Sequence, residues 1–532
     1  MNKFIAIIDK LSKSSPNAVF TPKAHLEYDS NNIYNYLYIE TDIEKDYKTL
    51  LAQLRDSKNI IFLCGSSGDG KSAIIGRNKA YFEKYYDVHI DATHSFRPDQ
   101  TAIEALDDVF TRYKNGDKSL VVGINMGILL NYAREGSNDH VDIKNAIDKY
   151  DKDNKDSSNI KFLNFENYPK FEIDNGEITS NFIHQLLEVI TQDSEENPFY
   201  KAYREDLKNN HFTIEHQNFY LLTQKPIQKS IVQLLVTVHL KYNQFLTARG
   251  ILDLIHILLK GPRLLIDQLF ESDSNSILEN TRKEDPILYR TKQLDTFLLE
   301  RSNNKVDNAL NDFINKFNEP CKQALLSADQ PHTLIRTFFL YKDDECSTNY
   351  HKNFSQSFTD TSTLEYVQLI LALNDYKDEN RSIIREFYKK ITQAIFAYAN
   401  KEYPSLTAQG LFQFDTINGY HICASLELSA DWNKIQNNHL KTINNFECYL
   451  KVDDHSIAPI VITLSMYKML IAINKGYRPN KHDRNTIILF EELLANISQK
   501  VKMSKNLHFI KERKTYTFKN RNEEIEVAIN AD

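Results

Sequence analysis

Between residues 59 and 72 an apolar run gives way to a glycine-rich turn: Asn59-Ile60-Ile61-Phe62-Leu63-Cys64 is followed by Gly65-Ser66-Ser67-Gly68-Asp69-Gly70-Lys71-Ser72. Each residue type in the turn has a use. Glycines at 65, 68 and 70 let the backbone curl so that its N–H groups face inward, and a helix opening near Lys71 adds its positive end. The Lys71 ammonium is spaced to reach the β and γ phosphates of a nucleoside triphosphate, and the Ser72 hydroxyl to hold the Mg²⁺ that bridges them. The turn matches G-x-x-x-x-G-K-[ST] in full, with the strand before it and the helix after it that the motif needs. Residues Gly65, Ser66, Ser67, Gly68, Asp69, Gly70, Lys71 and Ser72 are therefore expected to cradle ATP with Mg²⁺. The cradle reads phosphates and not the base, so GTP satisfies it too.

Hydrolysis asks for more, above all an acid at a strand end to hold the Mg²⁺ shell and polarise water. No apolar run ending in Asp-Glu occurs. Asp91, which ends Val88-His89-Ile90-Asp91, is the best-placed carboxylate and the expected Mg²⁺ partner of Ser72. Asp107 and Asp108 fall in a segment of helical periodicity that reads as a solvated face. The third strand ends in Asn125, which is either a polar sensor beside the γ-phosphate, like the one oligomeric ATPases carry, or the cap of a turn. Arg249 stands at the start of a strongly apolar helix, as in the lid helix of AAA-type ATPases, and is a candidate second sensor. Arg134, downstream of Asn125, is a candidate arginine finger for a neighbour in a homo-oligomer, the plain alternative being a solvated surface arginine. Lys71, Asp91, Asn125, Arg134 and Arg249 make up the expected catalytic set.

The elements that must position these residues follow from pattern. Ile43, Tyr47, Leu50, Leu51 and Leu54 recur at helical spacing ahead of the first strand, and the runs 86–91, 119–125 and 159–165 read as further strands, with a helix over Thr101 to Tyr113 between the second and third. Strands alternating with helices mean a parallel sheet. The expected architecture is an α/β P-loop NTPase core over 50–175, after an N-terminal arm and helix over 1–49. A mainly helical middle or lid region follows over 176–400, then a mixed α+β C-terminal domain over 401–532. In that last part strands are expected at Tyr420 to Leu428, Phe446 to Val452 and Ile457 to Leu464, a helix at Thr486 to Gln499 and a closing hairpin from Leu507 to Ile529.

Composition narrows the class. The 532 residues exceed what one core usually supports, and 41% hydrophobic with 26% charged residues is a globular balance. A formal charge of −7, from 65 basic and 72 acidic residues, gives no global pull toward polyanions. There is no run of about 18 apolar residues, and the first residues are too soon charged for a signal peptide, so no membrane is expected and the cytoplasm is. The five cysteines are scattered and never spaced as CxxC, which speaks against both a disulfide framework and a zinc knuckle.

The cradle, followed by His89-Ile90-Asp91-Ala92-Thr93-His94-Ser95-Phe96, then Pro98-Asp99-Gln100-Thr101-Ala102 and Val121-Val122-Gly123-Ile124-Asn125-Met126-Gly127, resembles the DptF family, also called DndF. The resemblance extends through Phe162-Leu163-Asn164-Phe165-Glu166-Asn167-Tyr168-Pro169 and the Arg249 helix, and is weaker over the last third. It implies a component of bacterial DNA phosphorothioation-dependent restriction, acting with partner proteins of the G and H type to restrict DNA that lacks phosphorothioate marks. It does not say which partner cuts. The sequence carries no HNH pattern, no metal-ligand histidine cluster and no carboxylate-carboxylate-lysine nuclease spacing; His89 and His94 read as packing or phosphate-proximal residues.

DNA contact, directly or through partners, has one local candidate. Between Lys500 and Arg521 eight basic residues face one acid, with Phe509, Tyr516 and Phe518 interleaved. Lys511, Arg513, Lys514, Lys519 and Arg521 could track phosphates, or the segment could be a hairpin with an aromatic inner face and a solvated basic outer one. Two functional classes stand: an NTPase, most simply an ATP hydrolase, that powers or licenses restriction, and a non-hydrolysing nucleotide-gated scaffold or signalling protein of another defence complex.

Overall fold

The structure, a computed structural model, describes residues 3–12, 33–90, 100–174, 176–303, 307–327, 331–344, 350–437, 443–480, 483–502, 506–511, 514–521 and 524–531. They form two compact units, one drawn from residues 1–172, 179–238 and 244–358, the other from 173–178, 239–243 and 359–532.

The first unit is built on a four-stranded parallel sheet of β1 (Ile60–Cys64), β2 (Tyr86–His89), β3 (Ser119–Ile124) and β4 (Ile160–Asn164), in the order β2-β3-β1-β4. Short helices α1 (Lys3–Ile8) and α2 (Ile33–Tyr36) precede it. Every residue of β1 and β3 is buried, as unbroken apolar runs require of central strands covered on both faces. Alternation along β1 divides the core in two. Ile61 and Leu63 face α3 (Asp42–Gln53) and α4 (Lys71–Phe82) through Tyr47, Leu51, Ile74 and Ile75. Ile60, Phe62 and Cys64 face α5 (Ala102–Asn115), α6 (Met126–Glu135) and α7 (Val141–Asp153) through Phe110, Leu129, Tyr132 and Ile147. The chain moves outward from β1 to β2 through α4 and back to β3 through α5, so right-handed crossovers place those two helices on opposite faces. The register sets Cys64 level with Ile124 on β3 and with Asn164 on β4, so the carboxyl ends of three adjacent strands share one edge.

A small ribbon of β5 (Glu172–Asp174) and β6 (Glu177–Thr179) follows, then α8 (Asn181–Thr191), α9 (Pro198–Lys208), α10 (Ile214–Thr223), α11 (Lys225–Tyr242) and α12 (Ala248–Lys260). In α12 the residues Ile251, Leu254, Ile255, Leu258 and Leu259 are buried at spacings of three and four. The Thr247 hydroxyl caps its start by accepting from Gly250 N, and Gly261 follows its end. Further on, the buried Arg336 is gripped by three carboxylates: Nε and Nη2 donate to the two oxygens of Asp285 at 3.2 and 2.7 Å, while Nη1 donates to Asp267 at 2.7 Å and Glu271 at 2.6 Å.

The second unit pairs helices Thr361–Asn374, Arg381–Ala399, Leu464–Asn474 and Arg484–Val501 with antiparallel strands. These strands are β7 (Leu411–Ile417), β8 (Tyr420–Ser425), β9 (Leu428–Ala430), β10 (Asn445–Cys448), β11 (Leu450–Val452), β12 (His455–Ser456), β13 (Ile460–Thr463), β14 (Asn506–Lys511), β15 (Lys514–Arg521) and β16 (Glu524–Ala531). The largest sheet runs β16-β15-β14-β8-β7. The first two helices belong with these strands, although the sequence places a boundary at 400. Tyr366 OH donates to Asn444 O and Ile462 O at 2.9 and 3.2 Å, and the Phe387 ring lies 5.2 Å from that of Phe446. Where a strand is expected to end at Leu464, a helix begins, because Thr463 caps it and Leu464, Met466, Tyr467, Leu470 and Ile473 all bury their side chains. The expected closing hairpin is three strands. Among the described residues no helix is long and apolar enough to cross a membrane.

Candidate functional site

The glycine-rich loop leaves the end of β1 at the shared edge of the sheet. Gly65 N donates to Ile124 O at 3.1 Å, and α4 opens at Lys71. Gly68 and Gly70 turn the loop with φ of +86° and +109°, a backbone region that L side chains rarely adopt. Lys71 arches back over the loop, its Nζ donating to Gly65 O at 2.7 Å and Ser66 O at 2.8 Å. Ser72 is the second residue of α4 and half-buried. The result is a glycine-rich turn of backbone at a helix start with an ammonium arched over it.

Three distant pieces of chain hold the loop. A Cβ on Gly65 would lie 2.8 Å from the ring of Phe165, so that ring closes the loop from the β4 side. Gly68 is covered by the start of α12: a Cβ there would meet Thr247 Oγ1 at 3.2 Å and Arg249 Cβ at 3.4 Å, and Arg249 N donates to Gly68 O at 3.5 Å. Asp69 turns its carboxylate inward, accepting from Ser66 N at 2.7 Å through one oxygen and facing Lys170 Nζ at 3.2 Å through the other. Lys170 stands on a segment anchored to α3, where Tyr168 OH donates to Asp46 at 2.5 Å.

Of the expected catalytic set, Lys71 and Arg249 are brought to the loop. Asn125 follows β3 at the same edge, and its Oδ1 accepts from Gly127 N at 2.8 Å, so its side chain is engaged as the cap of α6. Asp91 lies outside the described residues. The residue before it is informative: a Cβ on Gly123 would be 2.6 Å from Ile90 O, so the chain leaving β2 crosses the face of β3 one residue before that strand ends. Asp107 accepts from Tyr132 OH at 2.6 Å and Ser137 N at 3.0 Å, and Asp108 from Gln100 Nε2 at 2.8 Å, so both carboxylates serve the packing and solvation of α5. Arg134 is exposed in the last turn of α6, about 13 Å along the helix from Asn125 at 1.5 Å per residue, and runs away from the loop of its own chain.

The structure adds Glu166, exposed just past the end of β4, to which the sequence pattern assigns no role. Burial pushes the Cys64 thiol up to about 12, with Lys71 drawing it down and Glu166 adding to the rise, so an acid and the loop ammonium both act on the end of β1. Among the described residues no group of three or more His, Cys, Asp or Glu is placed to hold a metal ion.

The basic segment near the C-terminus divides by register. Lys511 pairs with Lys514, Phe509 with Tyr516 and Leu507 with Phe518, so the two exposed lysines share a face with the aromatic residues. Lys519 alternates with Thr517 on the other face and pairs with Glu526 on β16. A single basic outer face backed by an aromatic inner one is therefore not what forms, because Lys511 and Lys514 flank the two-residue connection and must point the same way. Lys511 Nζ lies 4.9 Å from the centre of the Tyr420 ring, and Phe509 meets Phe518 edge to face at 4.8 Å. The same face carries Val527 and Ile529, 51% and 63% exposed. Arg513 lies outside the described residues, and of Arg521 the backbone pairs with Glu524.

Set against family models, curated proteins and solved structures, the chain matches none of them.

Proposed function

We propose that the chain is a P-loop NTPase, most simply an ATPase, and that it serves a DNA phosphorothioation-dependent restriction system alongside G- and H-type partners. The observation that carries the nucleotide reading is the loop itself: glycines at positive φ, the Lys71 ammonium over the backbone and the start of α4 together make a receptor for a polyphosphate. In this reading the loop N–H groups other than those of Gly65 and Ser66, which donate to Ile124 O and Asp69, hold the β-phosphate, and Lys71 exchanges its carbonyl partners for β- and γ-phosphate oxygens. Ser72 would offer its hydroxyl to Mg²⁺, with Asp91 as the expected acid of the outer shell; when bound, the ion would supply charge neutralisation on the transferred phosphoryl group. Arg249, at the start of a helix that touches the loop through Gly68, would in this reading sense the state of the γ-phosphate. Arg134 would serve a neighbouring copy. The restriction role rests on the resemblance to the DptF family.

Titration of the purified chain with ATP, GTP and tripolyphosphate tests the first part. The expected result is micromolar binding of ATP that strengthens with Mg²⁺; absence of binding by all three overturns it. ATP binding without turnover, even with DNA and partners supplied, favours the nucleotide-gated scaffold. Loss of restriction of unmodified DNA on deletion of the gene is the expected result for the second part, and unchanged restriction removes it.

Direct DNA contact is proposed for the sheet face where Lys511 and Lys514 stand beside Tyr420, Phe509 and Tyr516. Changing both lysines to Gln is expected to reduce the slope of log K against log salt by about 2, one for each phosphate that no longer meets a lysine. An unchanged slope places DNA contact elsewhere.

A further inference from the structure

The loop carries a carboxylate of its own, and that is unexpected in a receptor for anions. Asp69 belongs to the cradle, its side chain is 2% exposed, and one of its oxygens is committed to Ser66 N. A buried negative charge two residues from Lys71 opposes every anion that approaches the same backbone. Its other oxygen faces Lys170 Nζ at 3.2 Å, from a side chain only 20% exposed and 101 residues away in sequence. Nothing in the spacing of the motif calls for Lys170, yet it is the cation aligned with the part of the Asp69 charge that the Ser66 N–H leaves uncovered.

We infer that Lys170 is a positioning residue of the nucleotide site: it neutralises Asp69, so that the loop keeps both its shape and a net positive character. The inference rests on the P-loop reading above and adds to it the electrostatic partner without which the cradle repels its ligand. Asp69 then serves as an internal tie, holding Ser66 N–H turned into the loop, and Lys170 makes that tie compatible with phosphate binding. The segment bearing Lys170 also bears Phe165, which closes on Gly65, so one stretch of chain supplies both the steric and the charge support of the loop.

The test is a double-mutant cycle read by equilibrium titration with ATP, using Lys170→Met, Asp69→Asn, the double variant and Lys71→Ala as the reference. Lys170→Met is expected to weaken ATP binding at least about ten-fold, because it leaves the buried carboxylate uncompensated beside the phosphates. Adding Asp69→Asn to Lys170→Met, which removes the uncompensated charge but keeps an oxygen to accept from Ser66 N, is expected to restore most of the loss, since the coupled charges go together. A merely structural Lys170 gives the opposite pattern: the double variant is no better than Lys170→Met. That outcome, or wild-type affinity in Lys170→Met, overturns the inference. If Lys170→Met alone does not fold, the double variant decides, since it holds no buried unpaired charge; its failure to bind ATP while its thermal transition matches that of wild type also overturns the inference. Failure of the underlying reading looks different, because wild type and Lys71→Ala then bind ATP alike or not at all.

Discussion

Lys71→Ala is expected to reduce ATP turnover to background and to weaken ATP binding, whereas Asp91→Asn is expected to cut kcat by about 10² or more with affinity held within a few-fold. The contrast comes from the proposed roles. Lys71 holds two loop carbonyls and, in that reading, would give them up for phosphate, its charge then acting on bound nucleotide and on the reacting phosphoryl group alike. In the proposed reading Asp91 would serve the outer shell of Mg²⁺ and the attacking water, so its amide would leave binding in place and remove chemistry. Single-turnover assays with each variant separate the two effects. Glu166→Gln belongs in the same series, since Glu166 is an exposed acid just past the end of β4, at the sheet edge that carries the loop. A loss of kcat in Glu166→Gln with Asp91→Asn fully active would transfer the water-activating role to the end of β4.

The second large effect is on stability. Arg336→Met is expected to destabilise the first unit by about 3–5 kcal/mol at pH 7, because it leaves Asp267 and the buried Asp285 without their cation around an apolar side chain, while Glu271 keeps its ion pair with Arg263. Arg336→Lys is expected to recover only part of this, as a point charge cannot make the two-pronged contact with Asp285. Thermal denaturation at pH 7 checks both variants, and a midpoint for Arg336→Met equal to that of wild type would mean that the carboxylates have found other cations.

What could be read beforehand divides along a physical line. The loop, β1 and α4 are contiguous in sequence, and the turn, its glycines and the Lys71 arch are built within that one stretch, so pattern alone located them. The Ala248–Lys260 helix was equally legible, because its cap, its apolar stripe and its closing glycine are all local. Phe165, Lys170 and Thr247 were not, since each is an ordinary residue in its own segment and gains a role only when the fold carries it to the loop. The two faces of the basic hairpin were accessible in principle. A two-residue connection between Lys511 and Lys514 fixes their parity, but that deduction needs the strand ends, which composition leaves loose. The helix at Leu464–Asn474 was hidden by a β-branched run that leads straight into it.

The loop is secured at Gly65 by Phe165, at Gly68 by the start of α12 and at Asp69 by Lys170. An untethered glycine-rich segment samples many conformations and must surrender that freedom each time it closes on a ligand. Here the surrender has already happened during folding, so the conformational entropy lost on association falls mainly on the incoming molecule. The same tethers run outward to β4 and α12, so a rearrangement of the loop cannot stay local: it is transmitted as mechanical displacement to two segments that the sequence separates by some eighty residues.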